Sequence, residues 1–183
     1  MLPRVLVLVP MLALLVWAAI QDFRARRIPN WLTLSLAAGG LLASLLSPHA
    51  LATPASSMGG LLAGFGIALV LFHLGALGGG DVKLLAAIGA WVGAWNVLLI
   101  WVIQAVVGLM IVLVQCAWQG KLTSLFRNSL VLAVNIAHVD TLGTKHVSET
   151  GRAFRSIDRP LPYAVPVLVA AFIVVGFRVA GMG

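Results

Sequence analysis

The sequence predicts an all-α membrane protein that crosses the bilayer several times, and three observations support this class. Hydrophobic residues make up 61% of the 183 residues, charged residues only 9%, and the mean hydropathy is +1.07. In a soluble domain, about a quarter of the residues are charged. Several apolar runs approach the roughly 20 residues that a helix needs to cross hydrocarbon. Open strands would leave backbone groups unpaired in lipid, so these runs are expected to be helices.

Six transmembrane helices are expected, in a single domain that covers residues 1–183. The stretch 84–118 is interrupted by Gly89, Gly93 and Asn96. It could form one long bent element, but two spans joined by a tight turn are favoured. The six expected spans cover about residues 4–21, 31–47, 58–77, 84–96, 97–118 and 161–181.

The basic residues indicate how these helices are oriented. With the N-terminus outside, ten of the twelve Lys and Arg residues lie in cytoplasmic loops, and only Arg4 and Arg178 lie outside. Cytoplasmic loops normally carry this excess of positive charge. The longest loop, 119–159, contains an apolar run at 130–137 that is too short to cross, so we expect a cytoplasmic amphipathic helix at the membrane interface. The net charge of +7 therefore indicates anionic lipid headgroups as partners, and not nucleic acid.

Two aspartates lie where apolar runs end, and they are the first candidates for a functional site. Asp22 follows the first run and Asp81 follows the third, each in a segment rich in Gly, Pro or Arg that we expect to be a loop. The chain has only five acidic residues, and a carboxylate at the edge of hydrocarbon is costly enough to suggest a function. Two spans separate the aspartates, so both are expected at the cytoplasmic face.

Two carboxylates that share a proton have the chemistry of a peptidase. The ionised one takes a proton from water as the general base, and the protonated one polarises the scissile carbonyl and then protonates the leaving amine. Repulsion between the two negative charges keeps one of the groups protonated. The alternative is that Asp22 neutralises a nearby arginine and that Asp81 pairs with Lys83 or caps the helix that follows it.

The residues around the aspartates also have expected roles. Gly78, Gly79 and Gly80 allow positive φ and a close approach of another chain, so an extended substrate is expected beside them. Lys83 anchors the helix start at the interface or biases the local field, which makes it a further candidate substrate-binding residue. Asn30 is a suitable N-cap for the helix that begins at the next residue.

These residues resemble the type IV prepilin peptidases, a family of membrane aspartic proteases. The family carries one aspartate in a D-x-R/K…I-P-N-x-L/T setting and the second in G-x-G-D-x-K-L. The small size resembles the short CpaA/TadV-like members, which serve tight-adherence (Flp) pili. Leu161-Pro162-Tyr163 is similar to a further family signature. The matching residues here are Asp22, Arg24, Ile28, Pro29, Asn30, Leu32 and Thr33, and then Gly78, Gly80, Asp81, Lys83, Leu84, Ala86 and Gly89.

The resemblance implies an activity and a cellular place. Asp22 and Asp81 would be the catalytic pair of an endopeptidase in the bacterial inner membrane. It would cut the leader from a prepilin partner at the cytoplasmic face, after a glycine. Longer members carry a cytoplasmic insertion, often with two CxxC motifs, that is tied to N-methylation. This chain has a single cysteine and only residues 22–30 between its first two spans, so we expect a peptidase without methyltransferase activity.

Two other functions stay open from the sequence. Paired carboxylates also serve as proton relays, as in a small proton-coupled transporter, although that function favours a site at mid-bilayer. A non-enzymatic subunit for pilus assembly would use the aspartates only to balance basic residues. No cofactor is expected, and no metal either, because the spacing of His138, Asp140 and His146 matches no common zinc pattern.

Overall fold

The computed structural model describes residues 2–74, 77–120, 122–137 and 163–181 of the chain. Within them the chain contains helices and no strands, which confirms the all-α class. The helices are α1 (Leu2–Ala25), α2 (Asn30–Leu46), α3 (Pro54–His73), α4 (Gly79–Val92), α5 (Ala94–Trp118), α6 (Leu122–Ala137) and α7 (Ala164–Val179).

The described helices differ in how well they are suited to cross a bilayer. Three of them, α1, α3 and α5, are both long and apolar enough. Helices α2 and α7 are apolar but shorter, with 17 and 16 residues. Helix α4 has 14 residues, which at 1.5 Å per residue is about 21 Å, less than the roughly 30 Å of hydrocarbon. The helices support a membrane protein, and the total of six crossings stays a prediction.

Helix α4 is the most buried element, and α3 packs very closely against it. Every residue from 84 to 93 is buried. A Cβ atom added to Gly64 would lie 2.6 Å from the carbonyl oxygen of Leu85, and one added to Gly60 would overlap the backbone of Gly89. Small residues allow helices in membranes to approach in this way. The position of α4 is therefore fixed by direct backbone contact with α3.

Buried hydrogen bonds hold the C-terminal end of α4 to two other helices. Trp91 donates its Nε1–H to the backbone oxygen of Leu36 in α2, at 2.7 Å. The hydroxyl of Ser57 in α3 donates to the backbone oxygen of Ala90. Both donors would otherwise be unsatisfied inside the protein, which is costly. This end of α4 is therefore held on two sides.

The break between α4 and α5 lies at Gly93 and not at residues 96–97, where the spans were expected to meet. Gly93 has φ +84°, a conformation that glycine adopts without steric cost. Val97 then donates its backbone N–H to the carbonyl of Gly93, at 3.1 Å, and Asn96 lies within α5. The expected pair of helices is present, with an earlier turn.

The remaining helices bring distant segments together. Helix α7 contacts both α1 and α5. Its first residue forms a hydrogen bond with the last turn of α1, so the start of α7 lies beside the end of α1. Helix α6 falls within the stretch 119–159, where an amphipathic helix was expected. Its position at a membrane interface stays a prediction, and residues 138–159 lie outside the described part of the chain.

Candidate active site

Asp22 lies in the last turn of α1, so the expectation that it follows the helix in a loop was wrong. Residues 22–25 contain neither glycine nor proline, and helical hydrogen bonding continues through them: the N–H of Arg26 donates to the carbonyl of Asp22 at 2.9 Å. The helix ends because Arg26 adopts φ +50°. Because Asp22 lies within α1, the helix fixes its backbone, and the residue is only 8% exposed.

A backbone group from the other end of the chain binds the Asp22 carboxylate. The N–H of Ala164, the first residue of α7, donates to Asp22 Oδ2 at 3.0 Å. The first N–H groups of a helix have no partner within the helix, and they present partial positive charge. This environment suits a carboxylate that holds negative charge.

Asp81 lies in the first turn of α4, so the expectation that it lies in a loop was also wrong. Its Oδ2 accepts the backbone N–H of Gly78 at 3.1 Å, so Asp81 caps the start of α4, as the alternative interpretation expected. Asp81 lies ahead of the predicted span 84–96. Burial raises the pKa of Asp81 from 3.8 to about 6. The hydrogen bond from Gly78 opposes this rise, and the negative charge of Asp22 adds to it.

The two aspartates lie close enough for the charge of Asp22 to act on Asp81, although 58 residues separate them in the sequence. The end of α1 and the starts of α4 and α7 form the site together. The two carboxylates have unlike surroundings. Asp22 accepts a hydrogen bond from the first N–H of α7, whereas Asp81 keeps its proton to a higher pH than an ordinary aspartate does. Titratable groups whose environments differ in this way are suited to separate acid and base roles.

The three glycines before Asp81 do not adopt positive φ, so that expectation was wrong. Gly78 has φ −85°, and Gly79 and Gly80 begin α4 and take helical angles. A Cβ on Gly80 would lie 3.6 Å from the Cβ of Ile28, which is an ordinary van der Waals distance, whereas one on Gly78 would lie 3.1 Å from Asp81 Oδ2. The missing side chain therefore matters most at Gly78, which lies tightly against the Asp81 carboxylate.

Lys83 and Asn30 form a direct contact between the two segments that carry the aspartates. Lys83 Nζ donates to Asn30 Oδ1 at 2.9 Å, on the exposed surface. Asn30 is the first residue of α2, and Pro29 occupies the N-cap position without a side-chain cap, so the expected capping role of Asn30 was wrong. The Asn30 carbonyl oxygen accepts from the Thr33 hydroxyl at 3.0 Å. Because the Asn30 side chain does not cap the helix, its amide oxygen can accept the hydrogen bond from Lys83.

Sequence reasoning missed the pairing of Gln104 with Tyr163. The Nε2 atom of Gln104, in the middle of α5, donates to the hydroxyl of Tyr163, which directly precedes α7. Tyr163 also lies close enough to Asp81 for the charge of that carboxylate to act on the phenol. The signal in the sequence was an amide within an apolar run, and α5 also carries Asn96 and Gln115, so the sequence gives no indication of the partner of Gln104.

Metal ligands were not expected, and the candidate ligands fall outside the described residues. His138, Asp140 and His146 all belong to the part of the chain that is not described. Within the described ranges, no three His, Cys, Asp or Glu side chains form a group that could hold a metal ion.

Together, the helices and the site define the class of protein: a helical membrane protein with two interacting carboxylates at helix ends. A model of the type IV leader peptidase family matches residues 9–113, which is 105 of the 183 residues. The chain belongs to this family. The match includes Asp22 and Asp81 and ends before Tyr163. Searches of curated proteins and of solved structures found no match.

Proposed function

We propose that this protein is a membrane aspartic endopeptidase that removes the leader peptide from type IV prepilins of the Flp type. Asp22 and Asp81 activate the water that cleaves the peptide bond. The observation that carries the proposal is that Asp22, at the end of α1, and Asp81, at the start of α4, lie close enough for the charge of Asp22 to act on Asp81, whose pKa is raised to about 6 mainly by burial. Membership of the type IV leader peptidase family supports the same reaction.

The unlike surroundings of the two carboxylates suggest how the roles are divided. Asp22, which accepts the helix N–H of Ala164, is the general base that takes a proton from the attacking water. Asp81, protonated up to about pH 6, donates a hydrogen bond to the carbonyl oxygen, and its proton passes to the leaving nitrogen as the C–N bond breaks. The water supplies the new carboxyl oxygen, so no cofactor is needed.

The substrate would approach from the exposed side of the site. Gly78 and Gly79 are exposed at the start of α4, and with Gly80 they leave room for an extended peptide backbone near Asp81. Lys83 is exposed beside them and contributes to the binding of that peptide. The apolar segment of the prepilin would remain in the bilayer against the helices while its leader reaches the carboxylates.

The proposed setting is the bacterial inner membrane. Six crossings with the N-terminus outside would give the cytoplasmic face ten of the twelve Lys and Arg residues, and anionic headgroups are the lipid partners that this charge favours. The site would then face the cytoplasm. The chain's single cysteine supports a peptidase without methyltransferase activity.

The experiment that tests the function uses the full-length protein in liposomes with a full-length Flp-type prepilin. Mass spectrometry of the product should show one cut, after a glycine at the end of the leader. The double variant Asp22→Asn/Asp81→Asn should give no product while circular dichroism shows unchanged helix content. If the folded wild-type protein leaves every such prepilin intact, the peptidase function fails. If the double variant still cleaves, the function stands and the aspartic mechanism fails.

A further inference from the structure

Tyr163 is held beside the carboxylate of Asp22 by the backbone. It directly precedes Ala164, whose N–H donates to Asp22 Oδ2 at 3.0 Å. This hydrogen bond joins residues 142 positions apart, and Asp22 itself is fixed within α1. The chain has no other tyrosine. Its one phenol group therefore enters the site with the start of α7, on an element different from those that carry the two aspartates.

The phenol oxygen is oriented by a buried amide. Gln104, only 4% exposed, donates its Nε2–H to the Tyr163 hydroxyl. A hydroxyl oxygen that accepts a hydrogen bond still has its own hydrogen to donate. No hydrogen bond donated by this hydroxyl is present among the described residues. Among the described residues, the hydroxyl therefore accepts one hydrogen bond and donates none, and the Oε1 atom of the same amide is also without a partner there.

The charge of the second aspartate also acts on the phenol. Asp81 and Tyr163 are close enough for this interaction, while the backbone N–H that follows Tyr163 binds Asp22. A tyrosine hydroxyl ordinarily loses its proton only at about pH 10, so it keeps its hydrogen at neutral and acidic pH. A group that keeps its proton cannot serve as a base, but it can donate a hydrogen bond at every working pH.

Peptide hydrolysis by two carboxylates needs such a donor. When water adds to the scissile carbonyl, negative charge develops on the carbonyl oxygen, and donors aimed at that oxygen stabilise the transition state. We propose that Tyr163 is a third catalytic residue, whose hydroxyl donates to the scissile carbonyl oxygen while Gln104 holds the phenol in position. This inference rests on the proposed peptidase function and adds a residue beyond the range that the family match covers.

The test compares two variants that remove the same hydrogen bond. Tyr163→Phe deletes the hydroxyl, and Gln104→Met deletes only the donor that orients it. We expect Tyr163→Phe to lower kcat about 10- to 100-fold, a moderate loss for one oxyanion donor, with KM changed less than about twofold. Gln104→Met should lower kcat only a few-fold, because the hydroxyl remains and can still reach the substrate. Equal losses in the two variants would mean that the pair only joins α5 to α7, and would overturn the proposal.

A second measurement separates catalysis from folding. A prepilin-like peptide with a tetrahedral hydroxyl group in place of the scissile carbonyl should bind Tyr163→Phe about 10-fold more weakly than wild type, whereas the binding of an uncleaved substrate peptide should be almost unchanged. Equal weakening of both ligands would contradict the proposal. Because Tyr163 is the only tyrosine, fluorotyrosine labelling gives one ¹⁹F signal. That signal should shift in Asp81→Asn, and a fixed signal would contradict the placement of the phenol.

The outcome for Tyr163 can be read separately from that of the proposed function. If wild type cleaves the prepilin and Tyr163→Phe retains full kcat, only the role of Tyr163 fails. If wild type does not cleave, the function fails first, and the ¹⁹F shift still reports whether the phenol and Asp81 are neighbours.

Discussion

The two ends of α4 have opposite character. At its C-terminal end, Trp91 and Ala90 form buried hydrogen bonds with α2 and α3, and Gly89 meets the backbone of Gly60. At its N-terminal end, Gly78 and Gly79 are exposed, and Asp81 is only half-buried. One end is fixed by packing, and the other end presents a carboxylate. Asp81 therefore begins a helix whose other end is held by buried contacts with α2 and α3, and these contacts position the carboxylate.

The same comparison explains why Asp81 titrates unusually. A carboxyl group at a freely exposed helix start would be ionised well below neutral pH. The packed half of α4 holds Asp81 where it is shielded from water and close to Asp22, so its pKa rises to about 6.

The largest effect is expected from removing either carboxylate. Asp22→Asn and Asp81→Asn should each lower the rate of prepilin cleavage about 10²- to 10⁴-fold, because each removes one half of the acid–base pair. The double variant should be little worse than either single variant, since groups that act as a unit are not additive. Single-turnover assays measure this. Asp140→Asn, a control outside the described residues, should cleave normally. If the losses of the two single variants added up in the double variant, the two aspartates would have independent roles.

The next effect concerns the packed end of α4. A Cβ on Gly60 would overlap the backbone of Gly89, so Gly60→Ala should force α3 and α4 apart and cost about 1–3 kcal/mol. Gly66→Ala is the matched control in the same helix, because a Cβ there meets no atom within 4 Å. Thermal unfolding in detergent compares the two. Equal melting temperatures would show that α4 is not fixed by this contact.

The pH dependence tests the exposed end. The folded protein holds the Asp81 proton more tightly than the unfolded chain does, because the pKa is about 6 instead of 3.8. This contribution to stability is fully present below pH 3.8 and is lost as the pH rises through 6. If Asp81 is the acid, kcat/KM should fall about tenfold per pH unit above 6. A flat profile between pH 6 and 8 would rule out that role.

The smallest effect is expected at the Lys83–Asn30 contact. This exposed hydrogen bond of 2.9 Å should contribute no more than about 1 kcal/mol. If Lys83 also binds the prepilin, Lys83→Met should raise KM several-fold, whereas Asn30→Ala should raise it less. Steady-state kinetics separates the two variants. If both variants had the same KM, Lys83 would have no role in substrate binding beyond its contact with Asn30.

The sequence predicts the identity of the site residues better than their local structure. Two carboxylates at the ends of apolar runs identify Asp22 and Asp81, because charge is rare in such a chain. The same pattern does not show that Asp22 lies inside α1: hydropathy falls at residue 21, but the helix continues until Arg26 takes positive φ. Hydropathy indicates where the apolar segment ends, whereas the end of the helix depends on backbone angles that hydropathy does not show.

Long-range contacts explain what the sequence could not predict. The bond from Ala164 to Asp22 and the bond from Gln104 to Tyr163 join residues 142 and 59 positions apart. Neither contact follows a helical or strand period, so no local pattern predicts it. The N-cap at Pro29 was missed for a similar reason: the Asn30 side chain binds Lys83, which is 53 residues away.

The central claim is that Asp22 and Asp81 act as one coupled pair, and the titration of Asp81 tests it most directly. NMR of carboxyl-labelled aspartate, with the signal assigned from Asp81→Asn, gives this pKa without any substrate. We expect a pKa of about 6 in the wild-type protein and a lower pKa in Asp22→Asn, because the negative charge of Asp22 is then absent. An Asp81 pKa that is the same in both proteins would contradict the account.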